Sequence, residues 1–353
     1  MDQKEAERRI KAGRAFVRTN FDDDTWVSDQ NLKKPQPPLV KAPMRDQAID
    51  LPVNYNALNI DNDFLHVINT RASHRVYTQE EMSLLELSYL LWTTQGIKGI
   101  RGKSYATLRT VPCGGARHEF ETYLAVRKVE GLEPGFYHYL PLKHQIEFLG
   151  KCDDLDGFVG ESLNGQVWGA KANVVFYYSF VAYRAEWRYG IYAHRVVLID
   201  AGHITENLYL ASTSIGLGSC AIGSVNGRLA DEAFGLDGEE EYIFYAHPVG
   251  TIQLIVRSSC SSTKVSSFVN TICSSSSSAK NFDMDTPRAS TMSSSVGSDG
   301  DVRLRSSWDK NPLVSSVRDP SSSRVRPFFV RSALILDPIS YISASFCLQL
   351  LTF

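Results

Sequence analysis

Between Val197 and Ile215 apolar side chains recur at alternating steps of four and three, at Val197, Ala201, Ile204, Leu208, Ala211 and Ile215. That spacing lays one apolar stripe along a helix of about 22 residues. A second stripe, Val196, Ile199, His203 and Leu210, leaves the same helix apolar on much of its circumference. It is therefore expected to be covered on two sides, either at the centre of the domain or across a dimer interface. Upstream, Thr78 and Glu81 have the spacing of a capping box, and Leu84, Leu87, Leu91 and Trp92 follow on one face, which predicts a helix from about 79 to 94. The period then shortens to that of strands. ETYLAVRKV (121–129), GFYHYLPL (135–142) and QIEFLG (145–150) are separated by turn residues, as in an antiparallel meander, and NVVFYYSFV (173–181) and EYIFYAHPVG (241–250) add two more strands. The class is α+β, a mixed or mainly antiparallel sheet flanked by helices, with one long central helix.

Outside this region the pattern breaks down. Residues 1–54 hold one amphipathic segment, Glu5 to Thr19, and then the proline-rich KKPQPPLVKAP, which favours an extended path, so they read as an arm with a linker. Residues 55–256 form the one predicted domain. Segment 257–327 is dominated by serine, 23 of them between Ser258 and Ser323, and reads as disordered. The tail 328–353 is apolar again, but Arg331, Asp337 and Pro338 interrupt it, so no membrane partner is expected. Over the 353 residues, 37 basic against 39 acidic side chains leave no basic field for nucleic acid. No secretory signal is legible at the start, so a cytoplasmic setting is the default, and the six cysteines stand singly, without the spacing of a zinc site.

The chemistry-bearing stretches are short. RASHR puts Arg71, Ser73 and Arg75 at alternating positions, either a cradle for a phosphate or a solvated charged turn. In RTVPCGGARHEFETYL, Cys113 sits between Pro112 and Gly114-Gly115, which fits a turn with positive torsions; a nucleophilic thiol would need a cationic neighbour such as Arg117 or His118. HEFET lacks the second histidine of a zinc helix, because Thr122 stands there, so no metal is expected. GLGSCAIG, with glycines at 216, 218 and 223, reads as a helix terminator leading into a strand.

Taken in order, RASHRVYTQEEMSLLELSYLLWTTQGI, RTVPCGGARHEFETYLAVRKVEGLEPGFYHYLP, WRYGIYAHRVVLIDAGHITENLYLASTSIGLGSCAIG and the late VG at 249–250 make the chain resemble the SagB-type dehydrogenases of the nitroreductase superfamily. The resemblance runs from about residue 8 to residue 251. It implies a nitroreductase-like FMN-binding fold working as a homodimer, with the flavin at the subunit interface and NADH or NADPH as electron donor. By the same resemblance Arg71 and Ser73 look like contacts to the flavin phosphate and ribityl chain, and Arg75 like the cation beside the ring's N1 and O2. The turn Pro112, Cys113, Gly114 and Gly115 is similar to the loop that reaches the ring from the partner subunit, and Ile222 and Gly223 fall where family backbone faces the N5 and O4 edge. Arg188 and Tyr189 stand in the place of a Lys-Tyr pair of azoline-forming members. Three departures count. Cysteine replaces the loop's usual serine, arginine replaces lysine and is a poor general base, and for the basic residue that in many members closes on the phosphate after the last strand only Arg257 is available, leading straight into the serine tract. The implied function is an FMN-dependent oxidoreductase acting on a small molecule or peptide; a peptide azoline dehydrogenase and a flavin-binding protein without turnover are the alternatives.

Overall fold

The computed structural model describes residues 1–18 and 26–253. Arg257, the serine-rich segment 257–327 and the tail 328–353 lie outside the described residues.

The predicted meander is the middle of a seven-stranded, wholly antiparallel sheet in the order β1-β6-β5-β4-β7-β9-β8. The strands are β1 (Ile49–Asp50), β4 (Phe120–Val126), β5 (Gly135–Leu140), β6 (Gln145–Gly150), β7 (Val174–Val181), β8 (Leu217–Ser219) and β9 (Glu241–Thr251); β2 (Ile97–Arg101) and β3 (Ala106–Arg109) form a separate hairpin. All of β4 is buried, so the sheet is covered on both faces. Side-chain alternation sorts it into two cores. Phe120, Leu124, Phe176 and Phe180 pack with α3 (Leu84–Gln95) and α6 (Ala193–Ser214), while Tyr123, Ala125, Val175 and Tyr177 pack with α4 (Leu155–Ser162) and α7 (Gly227–Phe234).

Two helix expectations are adjusted. The capping box is Ser83 with Glu86, both of its hydrogen bonds present, and α3 starts at Leu84 and not near 79. Both spacings satisfy the motif, but residues 78–82 are drawn into extended pairing: Thr78 donates its amide to the Thr251 carbonyl, and Met82 exchanges backbone bonds with Lys128 and Glu130. The long helix α6 runs 22 residues as its period predicts. Its first stripe is buried from Val197 to Ala211 and half-buried at Ile215, whereas the second is not covered in a single chain: Ile199 is exposed, as is the neighbouring Leu198, and Val196, His203 and Leu210 are half-buried.

The arm is more than a tether. After α1 (Gln3–Val17), which buries nothing, residues 26–50 run along the domain and end in β1, paired with β6. Gln30 donates its amide to the Trp187 carbonyl, Pro38 accepts from Arg184, and the backbone amides of Lys41, Met44 and Arg45 donate to the carboxylates of Glu121 and Glu147. These carboxylates belong to a buried ionic row. His138 bonds Glu147 at 2.7 Å and faces Glu121 at 3.7 Å, an ion-pair distance, and Arg184 bonds Glu121 at 2.5 Å.

Candidate functional site

The expected site residues fall into two groups. In the first, α2 (Phe64–Thr70) is capped by Asp63 and releases the chain at Arg71 into a short extended run, where Ser73 bridges Ser219 and the His74 amide donates to the Ser219 carbonyl. Arg71 lies over the Tyr209 ring, 5.2 Å to its centroid, and Arg75 lies over Trp168 at 5.7 Å. Ser73 shares a hydrogen bond with the Tyr209 hydroxyl at 3.0 Å, and that hydroxyl also accepts the Ala221 amide at 2.8 Å. Among the described residues neither arginine has a carboxylate ion pair. Unneutralised guanidiniums beside a hydroxyl suit a phosphate. Gly218 allows the close approach: a Cβ there would sit 2.7 Å from that of His74. Of the expected pair at 222 and 223, Ile222 is buried with its amide spent on the Ala246 carbonyl, so Gly223, which is exposed, is the one open to a ligand.

The second group is the turn from Pro112 to Gly115. Gly115 takes φ +55, as the sequence anticipates. Several polar groups of the turn have fixed partners. The Gly114 amide donates to Asp200 at 2.9 Å, the Gly115 carbonyl accepts from Arg117 at 3.1 Å, the Cys113 thiol donates to Glu119 at 3.2 Å, and the His118 amide donates to the sulfur at 3.0 Å. Burial, then the charges of Glu119 and Asp200, push the thiol well above its ordinary range. Burial also holds the His118 imidazole down at about 3, so it offers no charge to activate a thiolate. Cys113 is thus a hydrogen-bonding member of a turn, and the nucleophile reading fails.

Arg188 and Tyr189, on α5 (Ala182–Tyr189), lie against this turn. A Cβ at Gly115 would stand 2.7 Å from the Tyr189 hydroxyl, with the Arg188 side chain closer still. Arg188 donates to the Tyr105 hydroxyl at 3.0 Å and to Gln30 at 3.1 Å, and thereby ties the arm and the β2–β3 hairpin to the turn. Gly115→Ala is accordingly expected to lower stability by about 1–3 kcal/mol, from the left-handed torsion alone and before any displacement of Arg188. Urea unfolding measures it; an unchanged midpoint would show that the turn has slack.

The two groups are apart within one chain. Asp200, behind the turn, and Tyr209, beside the cradle, both sit on α6, nine residues or about 13 Å of helical rise from each other. Sequence reading missed Tyr209, Trp168, Tyr105, Glu119 and Asp200. The only available signal was that Asp200 and Tyr209 are polar interruptions on a long apolar helix.

The chain matches the Nitroreductase family profile over residues 68–251. It is 33% identical over 188 residues to "Putative nitroreductase MJ1384" of Methanocaldococcus jannaschii, a match covering 52% of this chain and 88% of that one. It is also 29% identical over 135 residues to the trifolitoxin-processing protein TfxB of Rhizobium leguminosarum bv. trifolii, covering 36% of each chain. With the microcin B17-processing protein McbC of Escherichia coli it shares 26% identity over 113 residues, 31% of this chain and 42% of that one.

Proposed function

Because the chain belongs to the nitroreductase family and is an oxidoreductase of that family, we propose that it binds FMN, takes electrons from NADH or NADPH, and passes them to an organic acceptor in the cytoplasm. The observation that carries this reading is the cradle of Arg71, Ser73 and Arg75, two guanidiniums without carboxylate partners among the described residues, flanking a residue whose hydroxyl is held by Tyr209. The donor set fits the group. Arg71 and Ser73 would hold the phosphate and ribityl chain, Arg75 would set a positive charge beside the ring, and Gly223 would leave the ring's edge clear. When bound, FMN supplies two-electron transfer at its ring. In this reading the turn Pro112–Gly115 completes the site from a second copy of the chain, as the family resemblance implies. The uncovered stripe with Ile199, and the exposed Leu198 beside it, supports that homodimer. No described helix is long and apolar enough to cross a membrane.

A peptide substrate is the second reading, favoured by the processing proteins among the relatives. In it Tyr189 handles the proton, since its hydroxyl lies over the turn while the Arg188 guanidinium is engaged with Tyr105 and Gln30. The main reading is tested by reconstituting purified protein with FMN, recording its visible spectrum, and adding each nicotinamide without oxygen. A yellow protein bleached by one of them is the expected result. A colourless protein would end the proposal, and a yellow one bleached by neither would leave a flavin binder without turnover.

A further inference from the structure

Behind the Cys113–Gly115 turn, where a Cβ at Gly114 would meet both the Asp200 carboxylate and the Tyr189 hydroxyl, three acidic groups meet. Ligand-type atoms of Cys113, Glu119 and Asp200 lie within 4.8 Å of one another, and Glu119 and Asp200 are 0% and 2% exposed. The donors supplied are few. Asp200 receives the Gly114 amide and faces His203 Nδ1 at 3.3 Å; Glu119 receives the Cys113 thiol on one oxygen, and its other oxygen, fully buried, has no partner. Among the described residues no lysine or arginine pairs with either acid, for each nearby guanidinium is turned elsewhere: Arg109 toward Gln95, Arg117 toward the Gly115 and Tyr105 carbonyls, Arg188 toward Tyr105 and Gln30. His118 is neutral and the thiol keeps its proton. His203 is the basic side chain that faces the pair, and two carboxylates this close and this dry do not both stay ionised unless a cation such as its protonated ring is present. Burial first, then the neighbouring Asp200, lifts the Glu119 carboxyl to about 7.

We propose that Glu119 and Asp200 share one proton across the inner side of this turn, and that the half-exposed His203 imidazole exchanges protons between the pair and solvent. The pair can then answer negative charge on the turn's outer face. An O–H bond forms at the carboxylate as an N–H bond of the imidazole breaks, and solvent restores the imidazole proton; no electron moves in this step. The charge on the outer face rests on the flavin reading above, whereas the shared proton does not.

The test is infrared spectroscopy of the full-length protein without flavin, in H2O and D2O, from pH 5 to 9. A protonated-carboxyl C=O band is expected that shifts in D2O and disappears as pH rises through neutrality. It should be missing in Glu119→Gln, titrate at lower pH in Asp200→Asn, and exchange more slowly in His203→Gln. If Glu119→Gln does not fold, by circular dichroism, the Asp200→Asn shift decides. A wild-type band that is absent, or unmoved in Asp200→Asn, would overturn the shared proton, as would stoichiometric Zn(II) uptake lost in Cys113→Ser. FMN-loaded protein reduced by dithionite in weak buffer at pH 8 should take up more protons per flavin than Glu119→Gln. Equal uptake would overturn the charge response, and failure to load FMN would sink the flavin reading while the band still judges the pair.

Discussion

Replacing Arg184 by alanine lowers the unfolding free energy by about 3–5 kcal/mol, because it leaves the Glu121 carboxylate buried beside an unfilled space. For a domain of this size that is a melting temperature on the order of 10 °C lower. Arg184 is 4% exposed, and besides Glu121 its guanidinium serves the carbonyls of Pro38 and His118, so one side chain joins the arm, the sheet and the stretch leading out of the Pro112–Gly115 turn. Burial by itself would raise the Glu121 carboxyl; Arg184, then His138 and Arg109, outweigh burial and hold it below the usual range. The signs with pH follow. Glu121 and Glu147 are both lowered from 4.5, so their contribution is present above that value and is lost as pH falls toward their folded values. His138 is raised from 6.5 in spite of burial, through Glu121 and Glu147, so its contribution is complete below 6.5 and fades as pH rises through the higher folded value. Thermal unfolding across pH checks both limbs, and a double-mutant cycle with Glu121→Gln isolates the pair. Additive losses would mean that Arg184 acts only through its carbonyl contacts.

This ionic row also marks where sequence reading stops. The strands at 121–129, 135–142, 145–150, 173–181 and 241–250, and the 22-residue helix, were legible because covering a sheet or a helix imposes a period on the residues themselves. The arm's role had no such trace. It is fixed through backbone amides of Lys41, Met44 and Arg45 and the carbonyl of Pro38, groups every sequence carries, which an extended proline-rich chain leaves free to bond outward. The helix start near 79 was misplaced for a related reason: Thr78 and Ser83 present the same capping spacing, and only pairing with Thr251 and Lys128 decides between them. For the proposed site, Arg71, Ser73 and the Pro112–Gly115 turn were singled out through family resemblance alone. Asp200 and Tyr209 were not, because a polar residue on a mostly apolar helix reads the same whether it holds a turn or faces water.

Arg71→Ala is expected to weaken FMN binding by roughly 10- to 100-fold, the range for losing a charge-assisted hydrogen bond or two to a phosphate. The guanidinium spends none of its charge on a carboxylate among the described residues, and lies over Tyr209, whose hydroxyl holds Ser73 and the Ala221 amide. Little of the fold depends on it, so the melting temperature of flavin-free protein should hardly move. That separation distinguishes a cofactor contact from a structural one. Arg75→Ala should behave differently, since Arg75 lies over Trp168 whereas Arg71 lies over Tyr209, and the proposed role of Arg75 is a charge beside the ring. It should shift the flavin's reduction potential downward by more than it changes affinity, because the anionic reduced ring loses its cation. Fluorescence titration of flavin-free protein and a potentiometric titration of the complex read the two effects. If both variants bind FMN as tightly as the parent, the cradle is a solvated turn and the flavin, where bound, is held elsewhere. Cys113→Ser is the control: with the thiol donating to Glu119 and accepting from His118, a hydroxyl can keep both bonds, and affinity should stay within about twofold.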